Sequence, residues 1–590
     1  MSRMRGAEAL VNTLEKAGVK YIFGLPGHGN MNILDAIYDS TEIKFMLVRH
    51  EQAAAHIADG YARMSGEVGV CCTSVGPGAL NLIMGIASAY ATSSPLLAIS
   101  GGIISKWTGR GQLQETSRAE TPTDQCYTQA LQPFTKKVFN ITEPDLIPVI
   151  TRRALAIAQA DRPGPVAIEI PWSLQAEFHA IEIPDPKDYE YGKRVRADAE
   201  SVKMAVDKLL NAKFPVIIAG NGAMISEAGY EIIQLAELLG APVATSFVSK
   251  GIIPEDHPLS IGMVGWLGHP VAHEIIREHA DYVLAVGFRF SDESTSWWTE
   301  GKPFVKENRF IQIDIQQQEL AKVYPVEVGL LGDAKATIEE MNALIGKRGG
   351  RKGAEKTKSV VKSLKDNFRL KLPPMDKTPM EPLRIADELR KSLPRDSILS
   401  VDTGMHAHYF SAFYPIYGPK LLQNPGGWTP MGWGPTAIIG AKLARPDAKC
   451  ICVTGDGGFT MVCQEVLTAV EWNTPVVWIV FNDKALNAIR HGQHGAYDGR
   501  IIGTEFKNRA DFAAMAWAFS AEGITVTRHD EIRGAVQHAL NCDKPCVIDM
   551  IIASDPIPPP TAGDWCEPVR AWAQPLLRKD TTDLMGERGQ

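Results

Sequence analysis

Several signals are missing from this sequence, and each absence closes off a class of function. There is no surplus of basic charge: 61 Lys and Arg stand against 68 Asp and Glu, a formal net charge of −7 over 590 residues. Such a balance leaves no electrostatic footprint for nucleic acid. The nine cysteines include no Cys-x-x-Cys pair and no Cys/His spacing suited to zinc. They are expected to be reduced and mostly packed inside a cytoplasmic protein, Cys71, Cys72, Cys450 and Cys452 among them. No secretory leader is expected, because Arg3 and Arg5 precede an amphipathic segment rather than an apolar one. Residues 68–105 carry no charge, yet Pro77, Pro95 and repeated glycines break the run. Strand, turn, helix and strand fit that stretch better than a membrane span. No Gly-Lys-Ser/Thr follows the glycine turn at Gly76-Pro77-Gly78, which excludes a Walker-type phosphate loop.

What is present reads as a large soluble enzyme, 45% hydrophobic and 22% charged, long enough for three or four domains. From residue 1 to about 180, helical and strand patterns alternate, the rhythm of a doubly wound parallel α/β sheet. A Pro- and charge-rich connector follows, and a second α/β unit spans about 199–345. Glycine turns follow two of its strands, at Gly220-Asn221-Gly222 and Gly287-Phe288-Arg289, and Asp314 closes another. Those features suit a Rossmann-like nucleotide site, although Gly-x-Gly-x-x-Gly is absent. The Lys/Gly-rich stretch 346–358 reads as a solvated linker, and a third α/β unit spans about 380–552. The last segment, 553–590, is a Pro-rich tail with an aromatic stretch that could act as a lid.

The third unit holds the most informative stretch. An apolar run, Cys450 to Thr454, leads into Gly455-Asp456-Gly457-Gly458, and a second apolar run ends at Asn482, 26 positions after Asp456. One strand–helix–strand unit thus sets a carboxylate and an amide oxygen at neighbouring strand ends, where open α/β sheets bind ligands. Two hard oxygen ligands among glycines suit Mg²⁺ carrying a diphosphate. The plain alternative makes Asp456 a helix cap. In the first unit, Glu51 follows another apolar strand and opens a helix. On its own it would be read as favouring the helix dipole.

Taken together, these stretches resemble the acetolactate synthase-like branch of the thiamine diphosphate (ThDP) enzymes. The resemblance is carried in order by Phe23-Gly-Leu-Pro-Gly27, Arg49-His-Glu-Gln-Ala-Ala54, Ala58-Asp-Gly-Tyr-Ala-Arg63, Gly76-Pro-Gly78, Arg162-Pro-Gly-Pro165, Pro254-Glu-Asp-His-Pro258, Gly287-Phe-Arg-Phe290, Gly432-Trp-Gly434 and the Gly455–Asn482 unit. It implies three doubly wound parallel-sheet domains: pyrimidine-binding, middle and diphosphate-binding. Glu51 would bond the cofactor's pyrimidine nitrogen, from an apolar slot that keeps the shared proton out of water. Asp456, Asn482 and the Lys484 carbonyl would hold Mg²⁺. Gly404-Met405-His406, Gly455, Gly457 and Gly458 would cradle the diphosphate, with Met431 bending the cofactor. Gly27, Pro77 and Asn81 would line its pyrimidine end. In such enzymes Glu51 of one chain faces Asp456 of another, so a homodimer is the least active unit and a homotetramer is common.

The same resemblance places His28 and Gln114 near the reacting carbon and Arg289 near a second substrate or a flavin. Two positions depart from the pattern. Trp172 follows Ile170-Pro171 where a lysine is expected, and Gly492 replaces an expected tryptophan. Losing a cation and an indole changes which substrate fits. Three readings follow. The first is a carboligase that decarboxylates a 2-oxoacid. The second is a lyase of acyloins or 2-hydroxyacyl-CoA thioesters, and the third a ThDP-binding regulatory homologue without turnover. The middle unit would hold FAD, ADP or nothing.

Overall fold

The computed structural model of the chain describes residues 2–114, 126–185, 188 and 194–555. It contains three parallel sheets of six strands each. The first orders its strands Lys44–Leu47, Tyr21–Gly24, Gly69–Thr73, Leu96–Gly102, Pro165–Pro171, Lys137–Asn140. The third repeats that order with Leu422–Gln423, Ile398–Val401, Cys450–Gly455, Val477–Asn482, Cys546–Ile551, Glu522–Val526. The middle sheet instead runs Ser260–Met263, Val243–Thr245, Pro215–Ala219, Tyr282–Val286, Arg309–Asp314, Val326–Leu331, the classic Rossmann order.

Each sheet has a point where the chain stops building outward in one direction and starts in the other. It lies between Tyr21–Gly24 and Gly69–Thr73 in the first sheet, and between Ile398–Val401 and Cys450–Gly455 in the third. In the middle sheet it lies between Pro215–Ala219 and Tyr282–Val286. Loops leaving adjacent strands diverge there, and the crevice between them is where such sheets bind ligands.

Alternation along the strands feeds cores on both faces. Cys71 faces the core shared by the first and third sheets, while Cys72 faces the outer core of the first. Cys450 and Cys452 likewise face the shared core, and Ile451 and Val453 the other side. All four cysteines are buried, as expected. The shared core is built around two helices, Glu51–Ser65 and Trp433–Ala444. They approach so closely that a Cβ on Gly60 would lie 2.2 Å from the Ala437 carbonyl oxygen, and one on Gly440 2.0 Å from that of Ile57. Only glycine fits at those crossings. The Trp433 indole N–H donates to Asp59 at 2.9 Å, and Arg63 pairs with the same carboxylate at 2.6 Å. The helix that opens with Glu51 is thereby locked onto the third sheet's layer.

The stretch 346–358 is largely exposed, as expected of a linker, but it is anchored: Arg351 is buried, donating to the Leu239 carbonyl and to Thr357 Oγ1, each at 2.6 Å. The helix Ala354–Asn367 then sets Val361 into the middle unit's core. A guanidinium with five donors can tie together several carbonyls, which a composition count cannot foresee. The chain start also pairs back on the connector, Ser2–Arg5 running antiparallel to Phe178–Ile181. Strands of four residues carry too little alternation to announce themselves.

Candidate active site

At the third sheet's crevice the strand Cys450–Gly455 delivers Asp456 and the strand Val477–Asn482 delivers Asn482. Asp456 accepts the Gly457 N–H and, on its other oxygen, the Lys484 N–H, both at 2.7 Å. Burial pushes its carboxyl up to about 6. Asn482 donates its amide to Asp549 and to the Ala510 carbonyl, both at 2.9 Å. That fixes its orientation and leaves Oδ1 buried without a partner. Lys484 turns through a left-handed φ of 64°, and its carbonyl accepts the Phe506 N–H at 2.8 Å with one lone pair left over.

Glycines keep this edge open. A Cβ on Gly457 would lie 2.5 Å from Leu486, with the Met431 methyl at 3.3 Å, and one on Gly458 would lie 2.5 Å from Asp402 Oδ2. The cleft left there measures about 160 Å³, and Gly404, Met405, His406, Met431, Asp456 and Asp483 are among its walls. His406 is buried, its ring pushed down to about 4 by desolvation and its Nε2 without a partner. Gly492 is buried one helical turn beyond Ala488, another wall residue, in the helix Asn487–Ala496. Asp402 is the residue sequence reasoning missed. Buried after Ile398–Val401, it accepts the N–H groups of Gly432 at 2.9 Å and Gly434 at 3.0 Å, and the Thr454 hydroxyl at 3.0 Å. It thus holds the loop of Met431. Its signal was an acid at the end of an apolar strand, two residues before Gly404.

The first sheet's crevice gathers a second group. Glu51 is 9% exposed and accepts the Asn81 side-chain amide at 3.0 Å. A Cβ on Gly78, in the helix that Pro77 opens, would come within 3.2 Å of Glu51 Oε1. The loop Gly27-His28-Gly29 packs on the neighbouring strand end: a Cβ on Gly27 would lie 2.4 Å from that of Ser74, and Gly29 donates to Ser74 Oγ at 3.1 Å. His28 is half-buried there. Gln114 lies over the same turn, its main chain 2.8 Å from where a Gly76 Cβ would sit, with its side chain exposed. Its sequence neighbour Glu115 lies outside the described residues, as does the tail from residue 556. Gln175 donates to the carbonyls of Gly29 at 2.8 Å and Ile170 at 2.7 Å, tying the His28 loop to the strand end that presents half-buried Trp172. Within one chain, Glu51, His28 and Trp172 do not line the cleft at Asp456, whose walls all come from residues 382–553.

The middle sheet's crevice opens a third cavity of about 540 Å³. Gly220, Gly222, Gly287, Arg289 and Asp314 are in its walls. Arg289 donates to the Ala91 carbonyl at 3.2 Å and stands 4.0 Å from Glu319. It therefore belongs to this cavity and not to the cleft at Asp456. Burial raises the Asp314 carboxyl above its ordinary range.

Three doubly wound sheets with ligand crevices at their reversal points, two of them sharing one strand order, define a class of cofactor-binding α/β enzyme. Family comparison agrees. Residues 4–121 match the N-terminal TPP binding domain of thiamine pyrophosphate enzymes, 202–341 the central domain and 402–550 the C-terminal TPP binding domain. The chain belongs to the thiamine pyrophosphate enzymes. It is 35% identical to a probable acetolactate synthase large subunit of Methanococcus aeolicus, over 93% of this chain and 92% of the relative. It is 33% identical to the acetolactate synthase large subunit of Haemophilus influenzae and 30% to isozyme 3 of Escherichia coli, each over 92% of this chain and 93% of the relative. The site residues fit the cofactor the family implies. The unpartnered Asn482 Oδ1 beside Asp456 has the donor set for a hard divalent cation, and the glycines leave room where side chains would collide with a diphosphate. No helix among the described residues is long and apolar enough to cross a membrane.

Proposed function

We propose that this protein is a thiamine diphosphate- and Mg²⁺-dependent carboligase that decarboxylates a 2-oxoacid and joins the remaining acyl group to a second carbonyl. The observation that carries the reading is the buried, unpartnered Asn482 Oδ1 set beside Asp456 at the third sheet's crevice. Bound cofactor supplies the nucleophilic carbon that takes up the acyl group. Everything else falls to the chain's own residues. Asp456, Asn482 and the free lone pair of the Lys484 carbonyl hold the cation, while Gly404, Met405, His406, Gly455, Gly457 and Gly458 leave space and N–H groups for the diphosphate. Met431, in the wall of the same cleft, would support the cofactor's bend. Glu51 holds a proton at the pyrimidine nitrogen, kept from water by burial and oriented by Asn81, with Gly27 and Pro77 shaping that end. His28 and Gln114, over the turn at Gly76, would meet the reacting carbonyl.

Glu51 and Asp456 occupy separate crevices of one chain, which supports a site completed by two copies and hence a homodimer, doubled to a homotetramer in the fuller assembly. The 540 Å³ cavity with Asp314 and two glycine turns supports FAD or ADP in the middle unit. Purified protein with a flavin absorbance band decides for FAD; a colourless, fully active protein decides against it. The relatives named acetolactate synthase support an enzyme of small molecules, which we place in the cytoplasm.

A lyase of acyloins or 2-hydroxyacyl-CoA is the second reading, favoured by Trp172 at the strand end and by Gly492 where the resemblance expects an indole. One experiment separates the two. Protein loaded with ThDP and Mg²⁺ is offered pyruvate, larger 2-oxoacids, acyloins and 2-hydroxyacyl-CoA, and CO₂ and carbon–carbon products are followed together. CO₂ release with a new acyloin supports the carboligase. Thioester or acyloin cleavage with no CO₂ from any 2-oxoacid replaces it with the lyase.

A further inference from the structure

One buried carboxylate close to Glu51 has no part in the reading above. Glu465 belongs to the third unit, at the start of the helix Glu465–Glu471, and is 1% exposed. Both its oxygens accept the main-chain N–H of Arg49, at 3.1 and 3.3 Å, across 416 residues of sequence. One oxygen also accepts the Thr468 hydroxyl at 2.7 Å. The far end of the same helix takes the Arg49 side chain, whose guanidinium pairs with Glu471. Arg49 is thus gripped at both ends of one seven-residue helix. That second pair is half-exposed and contributes little on its own. The first is made to a carboxyl that is 1% exposed, where a hydrogen bond is electrostatically stronger than in water.

The consequence lies two residues on. Arg49 and the extended His50 are the last residues before Glu51, which begins its helix with His50 as the cap. Fixing the Arg49 N–H fixes where that helix starts, and so the point from which the Glu51 side chain sets out. Glu465 also follows nine residues after Asp456 on the same connection, so one segment carries a cation ligand and the grip on Glu51's strand. Resting on the functional reading above, we propose that Glu465 is a positioning residue for this reaction: through the Arg49 N–H it sets the register of Glu51 against the cofactor's pyrimidine ring.

The test reads proton exchange rather than turnover. Full-length protein loaded with ThDP and Mg²⁺ is mixed with D₂O and quenched in acid. The fraction of cofactor deuterated at its reactive carbon is then read by NMR, with cofactor affinity and melting temperature measured alongside. Misplacing a reacting group by about 1 Å costs up to about a hundredfold. Glu465→Ala is accordingly expected to slow exchange between about tenfold and a hundredfold with cofactor affinity within about threefold of wild type, and Glu465→Gln, which keeps an acceptor for Arg49, to restore most of the rate. Because Glu465 acts through Glu51, Glu51→Gln/Glu465→Ala is expected to exchange no more slowly than Glu51→Gln alone. Should Glu465→Ala fail to fold, Glu465→Asp, one methylene short of Arg49, takes its place with the same expectations. Wild-type exchange in a folded Ala or Asp variant, or additive losses in the double variant, would overturn the proposal. Wild-type exchange in Glu51→Gln would instead remove the role of Glu51 itself, so the two failures are told apart.

Discussion

At the residue scale, burial divides the acids of this protein by task. Asp456 and Asn482 meet at one crevice with their orientations fixed from behind, by main-chain N–H groups and by Asp549. Replacing Asn482 by Ala removes that oxygen together with the amide that donates to Asp549 and the Ala510 carbonyl, so unfolding is followed alongside metal binding. It should weaken Mg²⁺ binding by about ten- to a hundredfold, read as the Mg²⁺ concentration needed for half-maximal ThDP binding. Asp402 and Glu465 answer instead to their buried surroundings, which push their carboxyls up to about 6 and about 7. Both titrate higher in the folded chain than in the unfolded one. Their contribution to stability is therefore complete below about pH 4 and lost as pH rises through 6 to 7. Asp402→Asn cannot ionise, so the gap between wild type and this variant in urea unfolding should narrow from pH 4 to pH 7. A gap that is flat or widens would show that Asp402 is not charged at that cost.

At the element scale, the close crossing of Glu51–Ser65 with Trp433–Ala444 joins the first and third units. Gly440→Ala would press a methyl onto the Ile57 carbonyl, whose oxygen lies 2.0 Å from the built Cβ. Overpacking of this kind costs about 1–3 kcal/mol, and a backbone neighbour puts this position at the upper end. Chemical denaturation checks it, and a loss below about 0.5 kcal/mol would mean the helices part readily. This scale also shows what the sequence made legible. Where an apolar strand stops at glycine the punctuation is local, so the Gly455–Asn482 unit and the Gly76 turn could be read directly, whereas Glu51 took its role only from the family resemblance. Asp402, Glu465 and Arg351 act through partners 30 to 416 positions away. Nothing near them in sequence marks those bonds. The strand order that makes the crevices is likewise a long-range property, which the alternation of helix and strand along the chain does not state.

At the scale of the whole molecule, one chain keeps Glu51 and Asp456 in different crevices, so the proposed function calls for a second copy to complete its site. Chains carrying Glu51→Gln mixed with chains carrying Asp456→Ala should then recover activity that neither has alone, because each mixed dimer holds one intact site. Mixing and exchange followed by an activity assay checks this; no recovery, with exchange shown by mass, would place both residues in one chain's site.

The most direct test of the central claim is cofactor dependence in one assay. Chain stripped of metal and cofactor is given ¹³C-labelled pyruvate or another 2-oxoacid, with ThDP and Mg²⁺ added singly and together, for wild type and Glu51→Gln. Labelled CO₂ and a labelled carbon–carbon product should form only with both additions and only with Glu51 intact. Turnover without ThDP, or unchanged turnover in Glu51→Gln, would contradict the account.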